Sequence, residues 1–270
     1  MGTGRANGQA SITEQYQGQY VNRPAVLAFS CVMTEQIEII HHWQQVRERL
    51  RTAALSCGRD PAGVRLLAVS KQHPAESIRI LALAGQQDFG ESYAQEAQQK
   101  RAALADLKLI WHFIGQLQSN KTRQIAEQFD WVHTVDRAKH ATRLNEQRPA
   151  DLAPLQVCIQ VKLMEETGKG GISPEQVTEL VAHIQQLPRL KLRGLMCIPP
   201  PMVDYPSQLA QFQRMTSLLH ELNGQGMSLD TLSMGMSDDY PAAIAAGATL
   251  IRIGTAIFGK RIRMRSDDVE

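Results

Sequence analysis

The 270-residue chain lacks the features that define several large protein classes. No apolar run approaches the roughly 18 residues needed to span a bilayer as a helix. The nearest imitation, AVLAFSCVM at 25–33, is short, is interrupted by Ser30 and follows no clustered basic segment, which argues against an export signal. Cysteine is scarce: Cys31, Cys57, Cys158 and Cys197 lie far apart, with no C-x-x-C and no histidine at zinc-ligand spacing. A disulfide framework and a metal site are therefore not expected, and free thiols fit a reducing cytoplasm. The eight histidines contain no H-E-x-x-H, and the adjacent His41 and His42 turn to different faces of a helix. An excess of one charge is missing too, with 29 basic against 27 acidic residues and a net charge of +2. Nothing in that balance favours a nucleic-acid or anionic-membrane partner. No G-x-G-x-x-G follows a strand-like segment, and GKGG at 168–171 fails as a P-loop because Leu163 and Gly170 stand where Gly and Ser or Thr are required.

What is present is a globular composition, 43% hydrophobic and 21% charged, over a length that allows a large core. Residues 1–32 are polar and rich in Gln and Gly without periodicity, and Met33 opens a helical pattern. The expected organisation is an N-terminal extension over 1–32 with Met33 as the working start, a domain over 33–262, and a polar tail over 263–270. The basic cluster Lys260, Arg261, Arg263 and Arg265 beside Asp267, Asp268 and Glu270 reads as solvated tail.

From Met33 two patterns alternate. Ile37, Ile39, Ile40, Trp43, Val46, Leu50 and Ala54 predict a helix over about 36–57 that Gly58 closes. Short apolar runs then read as buried strands at 65–70, 109–115, 131–135, 155–163, 190–198, 229–234 and 249–254, with a brief one at 88–90. Helix-like segments follow them at 74–84, 92–105, 119–129, 137–146, 174–187, 207–222 and 240–246. Eight βα units in this length predict a (β/α)8 barrel, the TIM-type fold, over a doubly wound sheet.

Barrel chemistry belongs at the C-terminal ends of strands. The first strand ends at Lys71, where partial desolvation would lower the pKa of an amine able to attack a carbonyl carbon; a lysine snorkelling to solvent is the plainer reading. In the last strand Leu250 and Arg252 share one face, so Arg252 can point into the mouth, and Gly254 and Thr255 open a turn whose N–H groups and hydroxyl suit a phosphate. Ser237 either caps a helix or adds a hydroxyl to that phosphate. A lysine on the first strand with a phosphate site at the last two is the arrangement of a pyridoxal phosphate (PLP) barrel.

The segments AVSKQHP (68–74), FGESYAQE (89–96), WHFIGQLQSNK (111–121), KLRGLM (191–196) and LSMGMSDDYPAAIAAGATLIRIGTAIFG (232–259), in this order, resemble the pyridoxal phosphate homeostasis protein family. That family is similar to the N-terminal barrel of alanine racemase standing alone, and the resemblance spans about 33–262. It implies PLP as cofactor, Lys71 as its Schiff-base lysine, Arg252 facing the pyridine nitrogen, and Ser237, Gly254 and Thr255 on the phosphate. It further implies Ser92, His112, Gly115, Met196 and Met236 as pocket residues, with core packing the alternative for the methionines. Lys169 resembles a loop lysine of the family, with a solvated loop charge as the equal alternative. Ser92 departs from the family's F-G-E-N-Y, and serine offers a shorter arm with a single donor.

The resemblance implies a cytoplasmic, monomeric protein that buffers and delivers PLP, with apo-enzymes that use the cofactor as recipients. No catalytic residue is expected, although a residual racemase-like side reaction stays open as the alternative. A site for another phosphorylated metabolite is disfavoured, because a sugar phosphate would not need Lys71.

Overall fold

The computed structural model describes residues 23–164 and 170–260, with side chains from residue 37 onward. The chain divides into two compact units, Met1–Ile37 and Glu38–Glu270, and the second holds the barrel. Helix α1 spans Arg23–Ser56, so helical backbone starts well upstream of the expected position. The local reason is plain: Pro24 suits a first turn, and no Gly or Pro follows it before Gly58. The expected boundary at Met33 falls where no side chain is described, and residues 1–22, Lys169 and the tail from Arg261 lie outside the described residues altogether.

Eight parallel strands close into a barrel in sequence order: β1 (Arg65–Val69), β2 (Asp88–Glu91), β3 (Ile110–Phe113), β4 (Trp131–Val135), β5 (Leu155–Gln160), β6 (Leu190–Met196), β7 (Thr231–Ser233) and β8 (Leu250–Ile253). Ring closure is set by β1, whose Ala68 pairs with Phe89 of β2 while Leu67 pairs with Arg252 of β8. The helices α2 (Ala75–Leu83), α3 (Ala94–Ala103), α4 (Thr122–Gln128), α5 (Ala138–Gln147), α6 (Val177–Gln185), α7 (Tyr205–Gly224), α8 (Tyr240–Ala245) and α9 (Thr255–Phe258) follow their strands. This is the (β/α)8 fold that the alternating pattern predicts.

The burial pattern explains why the sequence settles this way. On α1, Ile39, Trp43, Val46, Leu50 and Ala54 form one buried stripe at helical spacing, whereas Ile37 stands off that stripe and is exposed. Gly58 at φ 74° ends the helix in left-handed backbone, and Arg59 N–H reaches the Ala54 carbonyl at 2.9 Å. Trp43 donates to Gln86 Oε1 at 2.9 Å, which ties α1 to the loop before β2, at the N-terminal end of the strands. There α1 and the starts of β1 and β2 enclose a cleft of about 550 Å³ whose lining includes Trp43, Arg47, Arg65 and Asp88. The main apolar core lies between strands and helices, with Ile78 and Leu81 of α2, Leu144 of α5 and Phe212 of α7 wholly buried. A separate small cluster, Trp131, Cys158 and Met196, belongs to alternate positions of β4, β5 and β6.

Candidate functional site

Because β1 and β8 are neighbours, the fold brings Lys71 and the Gly254–Thr255 step to the same rim of the barrel. Lys71 sits in a turn just past β1 and is half-buried. Gly254 lies so close to the end of β1 that a Cβ there would meet the Val69 carbonyl oxygen at 3.0 Å. A side chain would be a tight fit at that point, and Thr255 and Ala256 open α9 with N–H groups that have no carbonyl partner within so short a helix. Thr255 and Ser237 are both exposed at this rim. Ser237 does not cap α8: Asp239 holds the N-cap position and accepts from Met236 N–H at 2.6 Å, which leaves the Ser237 hydroxyl for other work. Upstream of it, Gly235 at φ 94° is required, since a Cβ would come within 2.6 Å of Ala243 Cβ.

Beneath the rim, Arg252 is 5% exposed, and its guanidinium donates to Ser233 Oγ and to the Cys197 carbonyl, each at 2.9 Å. Among the described residues no carboxylate pairs with it, and burial lowers its pKa from the ordinary arginine value. Its two hydrogen bonds hold the buried guanidinium in a fixed orientation. Burial likewise pushes the Cys158 and Cys197 thiols up to about 12, so both stay protonated.

Arg252 heads a chain of hydrogen bonds through the barrel. Ser233 Oγ lies 2.8 Å from His133 Nδ1, His133 Nε2 lies 2.9 Å from His112 Nδ1, and His112 Nε2 lies 2.9 Å from Asp88 Oδ1. Asp88 is itself paired with Arg65. Burial lowers the pKa of both imidazoles, His133 well below its ordinary value, so each carries one proton near neutral pH. Burial raises the Asp88 carboxyl, but the bonds from His112 and Arg65 outweigh it, and the group stays ionised. Asp88 can then only accept, which puts the His112 proton on Nε2, the His133 proton on Nε2, and the Ser233 hydroxyl on His133. Every bond points from Arg252 towards Asp88.

The turn bearing Lys71 has its own support. Gln72 is in left-handed backbone at φ 62°, which costs a non-glycine residue about 1–2 kcal/mol. On the flanking residues, Ser70 Oγ donates to Glu91 Oε1 at 2.6 Å and Gln72 N–H donates to Glu96 Oε1 at 2.5 Å. Lys100 Nζ joins these partners, with Ser70 O at 2.8 Å, Glu91 Oε1 at 2.7 Å and Glu96 Oε1 at 2.6 Å.

The model of the alanine racemase N-terminal domain family matches residues 39–261. The pyridoxal phosphate homeostasis protein of Pseudomonas aeruginosa is 58% identical over 217 residues, covering 80% of this chain and 93% of that protein. Its counterpart in Escherichia coli K12 is 51% identical over 227 residues, covering 83% and 97%. The structure of PipY from Synechococcus elongatus PCC7942 with PLP bound superposes with a TM-score of 0.72 at 39% identity, covering 82% of this chain and all of that one. The chain belongs to the pyridoxal phosphate homeostasis protein family.

Within that family frame, the residues expected from sequence fall into two groups. Lys71, Ser237, Gly254 and Thr255 gather at the rim, with Met236 partly exposed beside Ser237. His112 and Met196 are wholly buried: His112 is engaged at both ring nitrogens, and Met196 packs with Trp131 and Cys158. Neither is exposed at the rim. Gly115 is a packing requirement, because a Cβ there would sit 2.1 Å from the Ser92 carbonyl oxygen. Ser92 itself is half-buried where β2 gives way to α3. Sequence reasoning missed His133, Ser233, Glu91, Glu96 and Lys100. His133 carried a signal, since it alternates with Trp131 as His112 does with Ile110, and both Glu91 and Glu96 lie inside the FGESYAQE motif.

Proposed function

We propose that this protein binds PLP at the barrel mouth and buffers and delivers it within the cytoplasm, serving vitamin B6 and amino-acid homeostasis without efficient catalysis. The carrying observation is the pairing of one amine with one phosphate-suited backbone on neighbouring strands, above a buried arginine that has no carboxylate pair among the described residues. In this reading Lys71 holds the aldehyde carbon covalently, Ser237, Gly254 and Thr255 hold the phosphate, and Arg252 faces the ring nitrogen. When bound, PLP supplies an electrophilic aldehyde and an electron-withdrawing ring. The residues fit that group: a bare backbone at Gly254, exposed hydroxyls at Ser237 and Thr255, and a fixed guanidinium beneath.

The same residues argue against efficient turnover. Strong electron-sink chemistry usually relies on an acidic partner that keeps the pyridine nitrogen protonated, whereas Arg252 holds its own proton and favours a neutral nitrogen; alanine racemase is similar in this respect, so the second base decides. Racemisation also needs a second base on the opposite face of the substrate. Of the described tyrosines, Tyr93 and Tyr205 are exposed at helix starts and Tyr240 begins α8. The test is transfer: protein loaded with PLP should activate an apo-enzyme added in equimolar amount, and failure to restore any activity would refute delivery.

A further inference from the structure

We propose that Lys100 is a positioning residue for Lys71: its ammonium, gripped by Glu91 and Glu96, fastens the backbone turn from which the Lys71 side chain springs. The proposal deepens the PLP-binding reading and rests on it for the role of Lys71.

Both residues flanking Lys71 are held by this one cluster. Ser70 is tied through its hydroxyl to Glu91 and through its carbonyl to Lys100, and Gln72 through its N–H to Glu96. Glu91 and Lys100 are buried, and the Lys100 ammonium has three oxygen acceptors, matching its three N–H donors. The turn needs such a grip, because Gln72 occupies left-handed backbone that a relaxed chain would leave. One ammonium serves two carboxylates, and Glu91 Oε2 is buried with no hydrogen-bond partner among the described residues. Burial pushes Glu91 up to about 7, against the pull of Lys100 and Ser70. A buried ion pair is by itself a weak source of stability. The arrangement is explained if the geometry being held is that of Lys71.

The test compares wild type with Lys100→Met and with the charge-free triple variant Lys100→Met, Glu91→Gln, Glu96→Gln. The triple variant removes the grip without stranding a buried carboxylate, so it guards against simple misfolding of the single one. Two readouts are taken. Amide hydrogen exchange of Gln72, which needs no PLP, should be at least tenfold faster in the folded triple variant. The rate at which Lys71 is captured by PLP, trapped by reduction, should fall at least tenfold, with Lys100→Arg restoring part of it. Unchanged Gln72 exchange, or capture at the wild-type rate, in the folded triple variant overturns the proposal. Absence of capture in wild type would instead refute the PLP-binding reading, and Gln72 exchange would still decide whether the turn is clamped.

Discussion

His112 Nδ1 and His133 Nε2, from neighbouring strands, meet at 2.9 Å, and the proton between them belongs to His133 because Asp88 at the far end can only accept. The same logic passes up the chain to Arg252, so a carboxylate at the N-terminal ends of the strands orients a guanidinium beneath the opposite rim.

Breaking that chain in the middle should cost both stability and affinity. Ser233→Ala removes an acceptor from Arg252 and a donor from His133, leaving buried polar atoms unpaired at about 1–3 kcal/mol. Urea midpoints should fall accordingly, and PLP should bind about tenfold more weakly. Nitrogen NMR of the imidazoles should show both protons on Nε2 in wild type; a proton on Nδ1 of either ring would reverse the assigned direction.

Glu91 makes stability depend on pH in a definite sense. Its carboxyl titrates at about 7 in the fold against 4.5 when unperturbed, so the folded chain holds that proton more tightly. The resulting stabilisation is full below pH 4.5 and is lost as pH rises to 7. Glu91→Gln cannot titrate, so relative to wild type it should gain on the order of 3 kcal/mol between those limits. Denaturant midpoints of the two proteins at pH 4.5 and 7.5 check this, and parallel changes would contradict it.

The phosphate should dominate reversible affinity. Charge-assisted bonds from the Gly254–Thr255 backbone and the Ser237 and Thr255 hydroxyls are worth about 1.5–3 kcal/mol each. Titration should therefore find pyridoxal bound far more weakly than PLP; equal affinities would remove the phosphate site.

Alanine incubated with the loaded protein in deuterated buffer should show negligible exchange of its α-proton, since in this reading no tyrosine among the described residues serves as the second base. Robust incorporation that disappears in Lys71→Ala would turn the account towards a racemase.

Much of the fold was legible because most strands are short apolar runs and helices such as α1, α6 and α7 carry one buried stripe, while the polar β2 and α3 gave a weaker signal. The rim was legible for a different reason: Lys71, Gly254 and Thr255 stand within two residues of strand ends, where the barrel places its mouth. The supporting residues were hidden because their partners are remote in sequence. His133 and Ser233 are 100 positions apart, and only ring closure makes them neighbours. Lys100 gave no signal either, for a lysine in the last turn of a polar helix ordinarily faces water. The capping alternative for Ser237 fell only when Asp239 was seen in the cap position.

The central claim is that Lys71 is the amine that holds PLP, and reductive trapping tests it most directly. Purified protein incubated with PLP, reduced with borohydride and digested should carry a pyridoxyl group on the peptide containing Lys71. Lys71→Ala should lose both the tag and the yellow absorption band while its circular dichroism stays that of wild type. A tag on another lysine such as Lys169, or a band that survives unchanged in Lys71→Ala, would contradict the account.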